Sequence, residues 1–377
     1  MKIGILTQPL HSNYGGLLQN YALQQVLIKY GHSVKTIDWQ YDFISKDAKR
    51  KEWLKTVLLS KFNYFYRTSH FLTEKEKKIL IAKPQSFITT HINTTSQVYS
   101  RVEIERKSRD EKFDAYIVGS DQCWRPKYNG QFLETMFLDF IGEGEKVKKI
   151  AYAVSFGAES WEYSEKQTST CAELAKQFDL VTVREMSGIN LCEKYLHVKA
   201  QHVLDPTLLL EKDDYVALME GTSFNEGTLT TYILDKNIQT ESFITNVEKI
   251  TGLERIEINP KPFDYKKAKN NLTQYEKISV PDWLSAIYHS KITIVDSFHG
   301  AVFSILFNKP FWVLGNQKRG MARFESLLKT FGLDNRMIDI AQSNQVDLFQ
   351  PIDWSRVNNV LSIKREESLN LLINSLK

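Results

Sequence analysis

A histidine at the junction of an apolar strand and an apolar helix is placed to move a proton. The chain has one such junction, Ile294-Val295-Asp296-Ser297-Phe298-His299-Gly300-Ala301-Val302-Phe303, and its seven other histidines lack that setting. At or near a helix N-terminus the helix dipole favours an anionic ligand, and an imidazole there is suited to proton transfer near neutral pH. On spacing alone, a structural histidine is the other reading of His299. Cations stand at comparable junctions. Val181-Thr182-Val183-Arg184-Glu185 ends a strand on a guanidinium whose fork fits a carboxylate or phosphate, or pairs with Glu185 or another acid. Lys318, Arg319 and Arg323 fall within six residues of a loop carrying Gly315 and Gly320, which can clamp a small, highly charged anion or simply lie solvated.

Two further junctions carry polar groups. Ser12-Asn13-Tyr14-Gly15-Gly16 leads into a helix; its glycines allow close backbone approach, although the spacing is neither G-x-G-x-x-G nor a P-loop, and a tight turn explains it equally well. In Gly119-Ser120-Asp121-Gln122-Cys123-Trp124, the side chains of Ser120, Asp121 and Gln122 can hydrogen-bond a polyol and Trp124 can offer a stacking face. Ser120 or Asp121 as a helix N-cap is the alternative.

These junctions require strands that end at a common edge. Lys2 to Leu6, a helix over Leu17 to Tyr30 and a strand over Ser33 to Trp39 form a βαβ unit, and the pattern resumes at Phe113 to Gly119, Lys149 to Ser155, Leu180 to Val183 and Val203 to Thr207. A second series runs through Thr228 to Leu234, Arg255 to Ile258, Ile292 to Val295 and Phe311 to Leu314, with helices over Ser242 to Thr251, Pro281 to His289 and Gly300 to Phe307. The expected architecture is therefore α/β: a Rossmann-like doubly wound domain over 1–211 with a helical insert at about 46–104, a second over 212–350, and a helical tail over 351–377 packing back. Two such domains predict a cleft between them at the carboxyl ends of their strands.

Composition narrows the class. At 377 residues, 42% hydrophobic and 25% charged, the chain is long enough for two or three cores and fits neither disorder nor a fibrous protein. A net charge of +4 is too mild to argue for nucleic acid. Three widely spaced cysteines without C-x-x-C, and histidines without H-x-x-x-H, give no expected metal site and suit a reducing compartment, so a cytoplasmic location is expected. No run of 18 apolar residues is present, and neither a membrane span nor a signal peptide is expected.

The ordered series Gly4-Ile5-Leu6, Asn13-Tyr14-Gly15-Gly16, Gly119-Ser120-Asp121-Gln122, Val183-Arg184-Glu185, Asp205-Pro206-Thr207, Ser297-Phe298-His299-Gly300 and Arg323-Phe324 resembles the polysaccharide pyruvyl transferase family over most of the chain. The resemblance implies two facing Rossmann-type domains, as in GT-B glycosyltransferases. It also implies transfer of pyruvate from phosphoenolpyruvate to two hydroxyls of a sugar, as a cyclic ketal, with release of phosphate and no cofactor beyond the donor substrate. By resemblance His299 is the general acid that protonates the donor's methylene carbon, Arg184 meets the donor, and Lys318-Arg319 supplies another basic contact. Asn13, Gly15 and Gly16 would line the cleft, with Ser120, Asp121 and Gln122 on the acceptor side. Some members carry an arginine where this chain has Ser297; Lys318, Arg319 and Arg323 are the candidates to take its part around a substrate site that includes Ser297.

Residues 46–67 form a basic, aromatic run of net charge +5. Such a helix packs against the first domain or lies on an anionic membrane surface at the inner face, which would suit a lipid-linked glycan acceptor. A GT-B glycosyltransferase setting Arg319 and Arg323 on a nucleotide diphosphate, and a non-catalytic glycan-binding protein, are the competing readings. The pyruvyl transferase reading is preferred because the cations cluster at strand ends and no G-x-x-x-x-G-K is present.

Overall fold

The structure, a computed structural model, describes residues 1–40, 74–142, 144–261, 263, 268, 271–315, 320–339 and 347–377. Its strands are β1 (Lys2–Leu6), β2 (Ser33–Thr36), β3 (Ala115–Val118), β4 (Lys148–Val154), β5 (Leu180–Val183), β6 (Gln201–His202), β7 (Thr228–Tyr232), β8 (Arg255–Glu257), β9 (Ser290–Val295), β10 (Phe311–Leu314) and β11 (Met337–Ile338). They form two sheets, in the orders β2-β1-β3-β4-β5-β6 and β11-β10-β9-β7-β8, with every pairing parallel. Crossovers leave in opposite directions between β1 and β3 in the first sheet and between β7 and β9 in the second. Those two switch points are where such sheets leave a crevice for a ligand.

The helix after β1, α1 (Tyr14–Lys29), starts three residues earlier than the periodicity predicts, because the Asn13 side chain caps it by accepting from the Gly16 N–H. It ends before Gly31, whose φ of +83° suits glycine. Apolar side chains lie all round α1, as expected of a helix buried on every side. One face meets the first sheet; the other meets the second domain, where the Tyr14 ring stacks on Trp283 at 5.5 Å and its hydroxyl donates to the Ile278 carbonyl at 3.0 Å. Of its buried polar residues, Gln24 donates to Thr36 and to the Asn93 carbonyl, both at 2.7 Å. A single apolar core thus runs from Ile5, Leu17 and Leu18 through Trp283, Val302 and Phe303, so the domains are packed together rather than joined by a linker.

Residues 46–67 lie outside the described residues. From 74 onward the insert gives α2 (Glu74–Leu80) and α3 (Ala82–His91), but it is not wholly helical. Its return strand bridges the first sheet in parallel, Thr94 beside Thr36 and Val98 beside Trp39, and α4 (Arg101–Glu111) runs past the expected limit at 104. Strand-forming residues there are too few to show a period of two. Val203 to Thr207, read as a strand, instead follows the short β6 and turns into a 3₁₀ segment over Pro206–Leu208, with Asp205 accepting from the Thr207 N–H.

The remaining helices that matter are α5 (Glu165–Ala175), α6 (Met186–Leu191), α7 (Ile238–Thr251), α8 (Val280–Tyr288), α9 (Phe298–Leu306), α10 (Ala322–Phe331) and α11 (Trp354–Ser375). The last lies against the segment that follows β6. Ser368 Oγ accepts from the Leu204 N–H at 3.1 Å, Arg365 Nε donates to the Leu208 carbonyl at 2.7 Å, and Leu361 and Leu372 join the shared core. None of the described helices is long and apolar enough to cross a membrane.

Candidate active site

A cavity of about 320 Å³ opens where the carboxyl ends of β1 and β3 face those of β7 and β9. Asn13, Asp121, Gln122, Ser297, His299 and Arg323 all line it, together with Gln8, His11, Tyr128 and Asp296, which the sequence had not singled out.

His299 is positioned from three sides. Ser297 caps α9, its Oγ accepting from the Gly300 N–H at 3.0 Å, so the imidazole sits in the first turn. Its Nε2 faces the Asp205 carboxylate at 3.6 Å, and its side chain is only 10% exposed. Its Nδ1 edge lies on α1, where a Cβ at residue 15 would fall 1.9 Å from Nδ1. Gly15 is therefore glycine because His299 occupies the space of its side chain. Gly16 meets no such crowding; a Cβ there would be 3.6 Å from Asn13, an ordinary contact. Gly15→Ala is predicted to displace the ring and abolish whatever depends on His299, whereas Gly16→Ala retains it. Turnover of the two purified variants, with circular dichroism as the control for folding, checks this.

Behind His299 lies a buried charge network. Arg184 Nη1 donates to Asp205 at 2.9 Å and to Ser120 Oγ at 3.2 Å, Nη2 donates to Asp121 at 3.1 Å, and Ser120 Oγ donates to Asp205 at 2.7 Å. The Arg184 side chain has no exposed surface and lies over the Phe298 ring at 4.7 Å. Arg184 does not line the cavity; its Nη1 and Nη2 meet protein carboxylates because β5 ends beside Asp121 and Asp205. Burial raises the Asp205 carboxyl, but His299, Arg184 and the Thr207 hydroxyl outweigh it and hold Asp205 well below the usual carboxylate range. Asp121 is likewise lowered, with burial again outweighed by Arg184, His299 and Arg323. Asp121 also has a φ of +81°, a strained backbone for a residue with a side chain, of the kind that collects at functional sites.

Arg323, on the first turn of α10, is 7% exposed and lines the cavity. Burial, then the neighbouring Arg184 charge, lower its pKa to about 10. A guanidinium disfavoured in this way gains most from an anion in the cavity.

Neither Ser120 nor Asp121 caps a helix; both belong to this network. Trp124 offers no stacking face to a ligand, since it is fully buried, stacks on Phe137 at 4.3 Å and donates to the Met136 carbonyl. Lys318 and Arg319 lie outside the described residues. Two acids escaped the sequence reading of individual roles. Asp205 enters the sequence reading as part of the Val203 to Thr207 run and of the family resemblance, with no role of its own. Glu185 turns away from Arg184 and accepts from Ser155 Oγ and from the Phe156 and Gly157 N–H groups at 2.8–3.1 Å. Its adjacency to Arg184 had suggested only an ion pair.

The sequence pattern described as polysaccharide pyruvyl transferase matches residues 13–318. No curated protein matches the chain in sequence. Among solved structures, UDP-GlcNAc 2-epimerase from Neisseria meningitidis bound to UDP-GlcNAc is similar with a TM-score of 0.53 at 13% identity, over 100% of this chain and 99% of the other. The UDP-GlcNAc 2-epimerase of Methanocaldococcus jannaschii follows at 0.52 and 11% identity, over 97% and 99%. At such identities the likeness concerns the fold, two facing Rossmann-type domains.

Proposed function

Because the chain belongs to the polysaccharide pyruvyl transferase family, we propose that its cavity binds phosphoenolpyruvate and transfers the pyruvyl group to two hydroxyls of a sugar in a surface polysaccharide or its precursor. Enzymatic pyruvyl transfer to polysaccharide is the family's activity; the donor, the residue roles and the acceptor are our reading. The observation that carries it is the buried Arg323 guanidinium in the cavity wall beside His299. A cation in that position is suited to a compact donor with a phosphate and a carboxylate.

His299, as imidazolium, gives a proton to the methylene carbon of the donor, and C2 becomes electrophilic. One sugar hydroxyl adds to C2, the C2–O bond to phosphate breaks, and the second hydroxyl closes the ketal. Of the two hydroxyl protons, one returns to His299, replacing the proton given to the methyl group, and the other leaves on the released phosphate. Arg323 holds donor anion charge through the reaction. Asp205 orients the imidazole, and Arg184 is a positioning residue that fixes Asp205 and Asp121. Asn13, Gln122 and Ser297 offer polar groups to donor and acceptor, Gly15 makes room for the ring, Gly16 serves the cap, and Ser120 holds Asp205. Lys318 and Arg319 are retained as further donor contacts, and no other cofactor or metal is invoked. A lipid-linked acceptor, with peripheral contact through 46–67 at the inner face of the membrane, remains part of the reading.

Calorimetric titration with phosphoenolpyruvate, and separately with UDP and GDP, tests the reading. Phosphoenolpyruvate is expected to bind, and Arg323→Ala to weaken it about tenfold or more. Nucleotide binding with no response to phosphoenolpyruvate would replace this reading with a nucleotide-sugar transferase.

A further inference from the structure

A second cavity, of about 520 Å³, opens on the first domain between α5 and the turn that follows α6. It shares no lining residue with the first. Its wall is a stack of three aromatic rings. Trp161 lies parallel to Tyr163 at 4.1 Å and 18°, and to Tyr195 at 4.5 Å and 7°. The indole N–H is satisfied by Thr168 Oγ1 at 2.8 Å, which fixes the plane of the stack. Tyr163 ends the stack in the core, its hydroxyl donating to the Trp124 carbonyl. Tyr195, at the other end, is half-buried, and the exposed Lys194 ammonium lies 4.9 Å from its ring centre.

The opposite rim is built from α5. Glu165, Ser169 and Glu173 are exposed there and supply two carboxylates and a hydroxyl. Aromatic surface beside hydroxyl and carboxylate groups matches a sugar ring, which has an apolar C–H face and an edge of hydroxyl donors. Glu173 is paired with Lys176 at 2.7 Å, and neither lysine nor arginine is among the lining residues, so the cavity is not built for a phosphate. The backbone is shaped for this wall: Tyr195 stands on a π-helical turn over Cys192–Leu196, and His197 follows in the left-handed region at φ 56° without being glycine. Such turns and strained residues collect at functional sites.

The two cavities are linked by one segment. Phe156 packs on Trp161 at 5.6 Å, and Glu162 pairs with Arg125 at 2.8 Å, which in turn donates to Gln122 Oε1 at 2.9 Å. Gly157, in the same segment, presses on Gln122 so closely that a Cβ would fall 2.0 Å from its Oε1.

We propose that the Trp161–Tyr195 cavity is a remote glycan subsite that holds a sugar of the acceptor polysaccharide away from the reacting one. The proposal deepens the acceptor side of the reading above and rests on it. The test is retention of the full chain on an array of bacterial surface polysaccharides, without donor, for the wild type, Tyr195→Ala and Ser169→Trp. Ser169→Trp fills the cavity from an exposed position and leaves the ring stack intact, so it stands even where Tyr195→Ala costs folding. The wild type is expected to be retained on at least one polysaccharide, and both variants about tenfold less, with donor calorimetry unchanged. Retention that is equal in wild type and Ser169→Trp, or absent in the wild type, overturns the proposal. If phosphoenolpyruvate fails to bind while the variants still lose retention, the donor reading falls and the glycan subsite stands.

Discussion

His299→Ala is expected to lower kcat about a hundredfold or more while changing the KM for phosphoenolpyruvate only a few-fold. The His299 imidazole combines a proton to give with fixed placement: it is capped into the first turn of α9 by Ser297, seated on Gly15 and faced by Asp205. Donor affinity, in contrast, is assigned to Arg323. Removing the acid removes an interaction made in the transition state and leaves ground-state binding largely in place. The two variants should therefore split, His299→Ala in kcat and Arg323→Ala in KM. A His299→Ala enzyme with unchanged kcat would show that another group supplies the proton. One in which KM alone rises would make His299 a donor contact.

That split follows from where side chains point, which is the part of the site that sequence shows least. The junctions after β1, β3, β5 and β9 were legible because each is a short apolar run that stops at polar residues, and parallel strands bring such ends to one edge. Asn13, Asp121, Gln122, Ser297, His299 and Arg323 accordingly share a cavity although more than 300 residues separate the first from the last. The direction of Arg184 was not legible. A guanidinium at a strand end can turn to solvent or to its neighbours, and what decides is the pair of carboxylates brought beside it by β3 and by the turn after β6. Gly15 is similar: its sequence surroundings propose close backbone approach to a ligand or a tight turn, whereas its absent side chain makes room for a residue 284 positions away. β11 was missed because two residues show no periodicity, and the bridges at Thr94 and Val98 because single pairings show none either.

Arg184→Ala should therefore act first on stability. It leaves Asp121 and Asp205 buried without their guanidinium, and breaking a buried pair by removing one partner costs about 3–5 kcal/mol. The pH dependence gives the mechanism a signature. Both carboxyls are held below their unfolded value of about 3.9, so the stability they lend is complete above that value and is lost as the pH falls through their folded-state values. Without Arg184 the two carboxylates protonate at higher pH, and protonation relieves the unpaired charge. The gap in thermal midpoint between wild type and Arg184→Ala should be widest near neutral pH and narrow toward pH 4. Adding Asp205→Asn to Arg184→Ala should restore part of the loss at neutral pH, because the second change removes one of the stranded charges, and the two effects will not add. A gap that stays constant with pH would mean that packing of the guanidinium on Phe298, rather than its charge, is what the arginine contributes. An unchanged midpoint with a strongly raised KM for phosphoenolpyruvate would return Arg184 to the donor contact that its place at a strand end first proposed.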